Sequence, residues 1–499
     1  DDLVAAYRNG REARRVPLAS SADGASLLAS LPRGGRSRAA RAREKRLASA
    51  APVSSVHTGD DSYPLLTIAS ASRVEQRACS PSSRETVVDD IEELTSLLER
   101  ELGDGGVAGV VCDTVTRAQA VYRAVKERFG VDEVVLTHAR FMDLDRMENE
   151  SRLRSMLGPD ATRANGRRPK RLIVVGTQVL EQSLDIDFDL LVTDVAPVDL
   201  LLQRLGRVHR HARGSGECDR PARLRHAQCF IRGVERAGEE GPAFATGITR
   251  VYDAASLMET LALMHLCDRA AAAEISLPGD IARLVHTAYS PKVAAMIPLS
   301  WQLRYEEACA QRQRMIEDKK LRAEIYLLPS AKQLIRDGKT LTSLFARAIE
   351  DGSKDRLNED VGQRAVRDTQ ETVEVLLVRR EGAGVSLLPW IGDERSGVAR
   401  GEELPTMYEP DWPLAFVLAQ CAVRLPLSLC RPQQLDQLIE ELEDGCERWV
   451  AAWQEVPVLA GRLVLALDER DDEPGTFEAT LLDQRLRYTR EEGLSTARR

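Results

Sequence analysis

The chain has 499 residues, 43% hydrophobic and 29% charged, with a formal net charge of -9; at about three ~150-residue domains it is too long for a single small module. No run approaches ~18 to 20 uninterrupted apolar residues, so no helical membrane span is expected. Nine cysteines without a CxxC pair, and seven histidines at no ligand spacing to them, predict reduced cytoplasmic thiols and no metal site. Sixty of the 69 basic residues are arginine, as GC-rich codon usage would also produce, so only placement can assign that bidentate charge to phosphate. The opening DDLVAAYRNGREARR lacks an initiator Met and an apolar signal core, and the chain is expected to be part of a longer product.

In chain order, LPRGGRSRAARAREKR at 31–46 reads as a solvated basic loop. Val87, Ile91, Leu94 and Leu98 then recur at helical spacing until GDGG at 103–106 stops the helix. Short apolar runs follow at 107–112, 134–136, 172–175, 190–192 and 228–231, with helical segments such as TRAQAVYRAVKERF between them. This alternation predicts an α/β unit with a parallel sheet covered on both faces. From about Phe244 the pattern becomes mainly helical, with VYDAASLMETLALMHLCDRAAAAEI as one long helical stretch. Later, TVEVLLVRR and VSLLPW flank the turn-like EGAG, and the last hundred residues run helix, strand and acidic loop.

Residues 171–213, RLIVVGTQVLEQSLDIDFDLLVTDVAPVDLLLQRLGRVHRHAR, carry the chemistry. Ligands of an open parallel sheet gather at the carboxyl ends of its strands, which puts Thr177, Gln178 and Asp194 where one would be met. A helix after Pro197, capped by Asp199, would put Gln203, Arg207 and Arg210 on one face and Leu201, Leu205 and Val208 on the other. An amide converging with two guanidinium forks suits a polyphosphate. A lone RxxR would more often be a surface helix in solvated ion pairs.

The joint pattern of VVGTQVLEQSLDIDFDLLVTD and QRLGRVHR resembles motifs V and VI of superfamily-two helicases. The EQSLDID wording looks like the type I CRISPR-associated helicase-nuclease recruited by Cascade. YPLLT at 63–67, CDTVTRAQAVY, THARFMDLDRMENE and, more weakly, VYD at 251–253, LPGDIARLVHTAY, RLVLAL and RYTREEGL fit the same family. The resemblance implies an α/β fold: a second RecA-like lobe at 63–235 after a basic segment at 1–62, a mainly helical linker at 236–370, and a small α+β accessory domain at 371–499. It implies that Gln203, Arg207 and Arg210 face ATP, with Arg210 the arginine finger, and that Asp185 couples the nucleotide and nucleic-acid sites. Thr177 and Gln178 would touch a nucleic-acid phosphate. From the residues themselves, Arg140 and Arg146 read equally as facing nucleic acid or as pairing with Asp143 and Glu150. The complete enzyme would use ATP and Mg2+, with a further divalent metal in its nuclease. It would translocate on single-stranded DNA delivered by Cascade and degrade that DNA in defence against foreign sequences.

Departures from the family pattern are equally informative. The only P-loop-like stretch, Gly338, Lys339 and Thr340, has Gln333 where the first glycine should stand. No DExH box follows a strand and no His-Asp dipeptide occurs, so the first lobe and the nuclease domain are expected as partners outside this chain. Two rivals stand beside this reading: a superfamily-two helicase outside CRISPR systems, and a non-catalytic nucleic-acid-binding module. Among the remaining candidates, Arg163, Arg167, Arg168, Lys170 and Arg171 read as a solvated loop or a phosphate contact. His138, His209 and His211 read as structural, Cys112 as core, and Trp449 with Trp453 as a buried helical pair.

Overall fold

The computed structural model describes residues 65–70, 86–181, 184–238, 241–267, 272–324, 336, 372–444 and 451–497. The basic loop at 31–46, Gly338 to Thr340 and Trp449 lie outside the described residues. Among the described residues no helix is long and apolar enough to cross a membrane.

The first half alternates as its apolar runs predict: β1 (Leu65–Ser70), α1 (Thr86–Glu101), β2 (Gly106–Val111), α2 (Val115–Phe129), β3 (Val134–Thr137), α3 (Asp143–Leu157), β4 (Arg171–Gly176), β5 (Leu190–Asp194), α4 (Val198–Leu205) and β6 (Gln228–Arg232). The strands join in the order β3-β4-β2-β5-β6-β1, every neighbouring pair parallel. Strands buried on both faces read as unbroken apolar runs rather than alternating ones, and β2 and β5 are buried along their whole length.

Successive side chains serve opposite faces. Ala108, Val110, Ile173, Val175, Leu190 and Val192 pack under Leu94, Leu97 and Leu98 of α1 and Ala118, Val121 and Val125 of α2. Val107, Val111, Leu172, Val174 and Leu191 pack on the other side with Leu201 and Leu205 of α4. Gly109 has no side chain because a Cβ there would lie 2.6 Å from the Phe188 ring, which closes over β2 at that point.

After a small hairpin of β7 (Val234–Gly238) and β8 (Gly241–Phe244) come α5 (Ile248–Val251) and α6 (Ala254–Leu263). Here the sequence reading is corrected. The stretch expected to continue as one helix ends at Leu263, and its Ala-rich tail forms β9 (Ala272–Ser276). β9 pairs antiparallel with β1 and closes that edge of the sheet, so edge pairing overrides the helix propensity of alanine. The sheet therefore draws its last strand from within the segment expected to be helical linker. α7 (Ile281–Ala288) and α8 (Gln302–Glu324) follow.

The C-terminal part comprises β10 (Glu374–Glu381), β11 (Gly384–Ser386), β12 (Glu403–Leu404), α9 (Trp412–Ala419), β13 (Ala422–Arg424), α10 (Leu435–Asp444), β14 (Leu463–Glu469), β15 (Phe477–Leu481), β16 (Gln484–Thr489) and β17 (Gly493–Ala497). EGAG makes the expected turn from β10 to β11, and β14 runs parallel beside β10. Trp453 is buried, its indole N–H donating to Pro405 O at 2.7 Å.

This second sheet is fastened to the parallel-sheet lobe at two points. The turn between β16 and β17 lies against α2 and the end of β3, where Arg123 pairs with Glu492 at 2.7 Å and Leu494 N–H donates to Arg140 O at 2.8 Å. Gly493 occupies the left-handed region (φ 63), and a Cβ there would lie 2.7 Å from Arg140 O. His138 accepts the Arg140 amide at Nδ1, so its Nε2 carries the proton toward Glu492 O at 3.0 Å; burial, then the Arg140 charge, lowers its pKa to about 3.

At the second point Asp145 accepts from Trp390 Nε1 at 2.9 Å and Tyr488 Oη at 2.6 Å. Burial pushes its carboxyl up to about 6 despite both bonds. A folded-state pKa raised above the unfolded 3.8 means the contribution is complete below that value and lost as pH rises through about 6. Two pKa units at ~1.4 kcal/mol each predict a loss of roughly 3 kcal/mol between pH 4 and 7. Melting temperatures across that range should fall for the native chain, and Asp145→Asn should flatten the profile; an unchanged slope in the variant would refute the assignment.

Candidate functional site

β4 ends at Gly176, and the chain turns through a short 3-10 segment, Gln178–Leu180. β5 then delivers Asp194 to Pro197 and α4. The expected cap is corrected: Pro197 occupies the N-cap position with no side-chain bond, and Asp199 stands in the first turn. The helix is also shorter than its apolar spacing suggests. Gly206 caps it, its N–H reaching back to Leu202 O, and the chain then runs alongside residue 188. Phe188 N–H donates to Arg207 O at 2.9 Å and His209 N–H to Phe188 O at 3.0 Å. That parallel bridge, with His209 at φ 49, replaces the extra helical turn. Gln203 therefore lies exposed on α4, while Arg207 and Arg210 lie on the bridged loop rather than sharing its helical face. Leu201, Leu205 and Val208 are buried as the stripe predicts.

The loop gathers Arg207, Arg210 and Asp185. Arg210 donates to Asp185 Oδ1 at 2.6 Å in an exposed pair, which holds that carboxyl below its usual range. Arg207 donates through Nη2 to Glu181 O at 2.7 Å, while its Nε is buried without a partner among the described residues. Burial, and then the charge of Arg210, makes the Arg207 guanidinium easier to deprotonate than usual. Two like charges held together, with a donor left over, favour an incoming anion that can take several hydrogen bonds at once.

The other predicted residues have different surroundings. Thr177 is buried at the end of β4. Gln178 turns inward, donating from Nε2 to Asp113 O at 3.0 Å and Tyr252 Oη at 3.3 Å. Asp194, expected at a ligand-facing strand end, is wholly buried: it accepts the Asp113 N–H at 3.0 Å and the Arg117 fork at 2.9 Å. Burial would raise its pKa, but Arg117 and Arg232 outweigh that and hold it low. Arg140 sits at the seam with the C-terminal sheet, where burial lowers the pKa of its guanidinium. Arg146 pairs with Asp143 at 2.9 Å. Of the second basic cluster, Arg168 is buried against Asp187 and Asp189, and Arg171 pairs with Glu133 at 2.6 Å.

Arg204 escaped the sequence reading. It is completely buried and donates to Glu181 Oε1 at 2.7 Å, Thr193 Oγ1 at 2.8 Å, Asp113 Oδ1 at 2.9 Å and Tyr252 Oη at 3.2 Å. Burial would lower its pKa, but Asp113 and Glu181 more than reverse that. Asp113 itself is pushed up to about 7 by burial and by the Asp194 charge. One signal was available: Arg204 falls at i+3 from Leu201 and next to Leu205, an arginine on the apolar stripe, and a charge buried there must be paired.

Residues 104–213 match the family described as CRISPR-associated nuclease/helicase Cas3, C-terminal, and residues 367–494 match the Cas3 C-terminal domain. A CRISPR-associated nuclease/helicase Cas3 from Streptococcus thermophilus is 30% identical over 382 residues, 76% of this chain and 38% of that protein. A crystal structure titled T. fusca Cas3-ADP superposes with a TM-score of 0.64 at 23% identity, covering 90% of this chain and 44% of that one. A structure titled CRISPR RNA-guided surveillance complex, pre-nicking, gives 0.59 at 23% identity over 87% of this chain and 44% of that one. The chain thus spans less than half the length of these proteins. It belongs to the CRISPR-associated nuclease/helicase Cas3 family and carries that family's C-terminal domains.

Proposed function

We propose that this chain supplies the nucleotide-sensing second lobe and the accessory domain of an ATP-dependent single-stranded DNA translocase and nuclease acting in type I CRISPR interference. The observation that carries this reading is the Arg207 and Arg210 pair on its bridged loop, with Arg207 Nε buried and without a partner among the described residues. ATP bound between two lobes supplies the phosphoryl transfer to water that drives movement. Arg210 leaves Asp185 to meet the charge that develops on the phosphoryl group, Arg207 holds the nucleotide through its fork, and Gln203 adds an amide from the exposed edge of α4. Asp185, freed or engaged as Arg210 moves, reports nucleotide state back toward the β4 turn.

On the DNA side, Thr177 and Gln178 shape the end of β4 where a phosphate would pass, and Arg140 meets the strand at the seam with the C-terminal sheet. Mg2+ and the nuclease metal would belong with a first lobe and a nuclease domain; among the described residues no group of three or more His, Cys, Asp or Glu is placed to hold a metal. Recruitment by a Cascade-type complex is supported by the fold shared with the surveillance-complex structure.

The test is turnover. The purified 499-residue chain should hydrolyse no ATP, with or without single-stranded DNA, because it has no P-loop. The same chain joined to a first lobe should show DNA-stimulated hydrolysis. ATP turnover by the isolated chain, or none by the joined protein, would overturn the assignment.

A further inference from the structure

Tyr252 belongs to none of the phosphate-facing motifs, yet its hydroxyl bonds both Gln178 of the proposed DNA side and the buried Arg204. It follows α5, with its own N–H bonded to Ile248 O at 3.0 Å, and precedes Asp253, which caps α6 by accepting from Ser256 N at 2.9 Å. The ring is thus held by backbone on both sides. Its oxygen accepts from Gln178 Nε2 at 3.3 Å and from Arg204 Nη2 at 3.2 Å. Arg204 in turn bonds the Glu181 carboxylate at 2.7 Å, and the Glu181 carbonyl takes Arg207 Nη2 at 2.7 Å.

We propose that Tyr252 is a positioning residue whose hydroxyl relays the state of Gln178, on the DNA side, through Arg204 and Glu181 to Arg207 on the nucleotide side. The inference rests on the function proposed above and names the coupling element within that site. A phosphate that draws the Gln178 amide outward takes one of the two donors from Tyr252 Oη. The phenol then turns toward the other donor and shifts Arg204 between Asp113 and Glu181. Because the Arg207 anchor is the backbone of the same Glu181, the shift reaches the loop without any group crossing solvent. Burial pushes the phenol up to about 12, so the hydroxyl stays neutral and accepts both donors throughout the physiological range.

Tyr252→Phe removes only the oxygen. In the chain joined to its first lobe, the ratio of DNA-stimulated to unstimulated ATP hydrolysis should fall about fivefold, the worth of one net hydrogen bond of ~1 kcal/mol. Unstimulated turnover, KM for ATP and affinity for an oligothymidine single strand should stay within about twofold, the changes expected when no contacting group is removed. Gln178→Ala should lower the same ratio, and the double variant should fall no further than the lower of the two singles.

An unchanged ratio in Tyr252→Phe, or effects that multiply in the double variant, would overturn the relay. Equal losses of stimulated and unstimulated turnover would overturn it too, by showing that Tyr252 merely holds the lobe together. Arg207→Ala separates the two readings: if it leaves turnover intact the nucleotide-site assignment fails, whereas if it abolishes turnover while Tyr252→Phe changes nothing, only the relay fails.

Discussion

Arg210→Ala, in the chain joined to its first lobe, should reduce DNA-stimulated ATP hydrolysis by roughly 10³-fold or more, the usual worth of a guanidinium that meets charge only in the transition state. Arg207→Ala should do the same with an added rise in KM, because its half-buried fork is also suited to holding the nucleotide before reaction. Neither change should disturb folding. Arg210 makes one exposed pair, with Asp185, and such pairs contribute less than ~1 kcal/mol. Arg207 gives up a single part-buried bond to a backbone carbonyl, worth about 1 kcal/mol net. Steady-state kinetics beside melting curves of the same preparations make the check, with single-strand affinity as the control. Retained turnover in both variants would remove the loop from the nucleotide site, and a collapse in melting temperature would make the loss a folding effect.

How far the molecule could be read in advance follows from the range of each interaction. The parallel sheet was legible because a strand buried on both faces writes its own apolar run, and β2, β4 and β5 each do so. The stripe of Leu201, Leu205 and Val208 was legible as burial but not as shape. Gly206 and the bridge between Phe188 and Val208 end the helix at Leu205, and nothing in local spacing reports a partner twenty residues back. Asp194 was read as a strand end open to ligand, but Arg117 and Arg232 come from other elements to bury it. β9 was misread because alanine propensity is weak beside an unpaired sheet edge. The fastening of Asp145 by Trp390 and Tyr488 joins residues more than two hundred positions apart, beyond any periodic pattern. Of the site itself, Arg207, Arg210 and Asp185 do come together, whereas Gln178 belongs to the neighbouring network and Arg140 to the seam.

The largest expected loss of stability comes from Asp187→Ala, in a group of buried charges behind the Arg207 and Arg210 loop, where Asp187 accepts the His211 N–H at 3.3 Å. Asp187 is completely buried and accepts from Arg213 at 2.8 Å and Arg220 at 3.1 Å, with Arg168 at 3.4 Å. Its neighbour Asp189 takes Arg168 at 2.7 Å and also Arg220. Burial alone would raise the Asp187 pKa, but these guanidinium groups outweigh it and keep the carboxyl below its usual range. Arg213 also donates to Ala161 O at 2.7 Å and Gly158 O at 3.0 Å, binding the end of α3 to the loop before β5. Alanine at 187 would take the carboxylate from buried Arg213 and leave Arg168 and Arg220 on Asp189, with Glu217 on Arg220 as well, and stripping one partner from a buried ion group typically costs ~3 to 5 kcal/mol. A melting-temperature drop of about 10 °C is expected for the lobe. Asp187→Asn should cost nearly as much, because it keeps the shape and discards the charge. Glu148→Gln, which breaks the exposed pair with Arg490, should shift the melt by less than ~2 °C. Equal shifts for Asp187→Asn and Glu148→Gln would mean that the buried group is as well solvated as the surface pair. Since Asp187 directly precedes Phe188, whose backbone carries the bridge to Val208, loosening it should also blur the Arg207 and Arg210 loop. Residual ATPase in the joined protein should therefore fall at temperatures well below the global melt, which ties the strongest electrostatic anchor of the lobe to the site it supports.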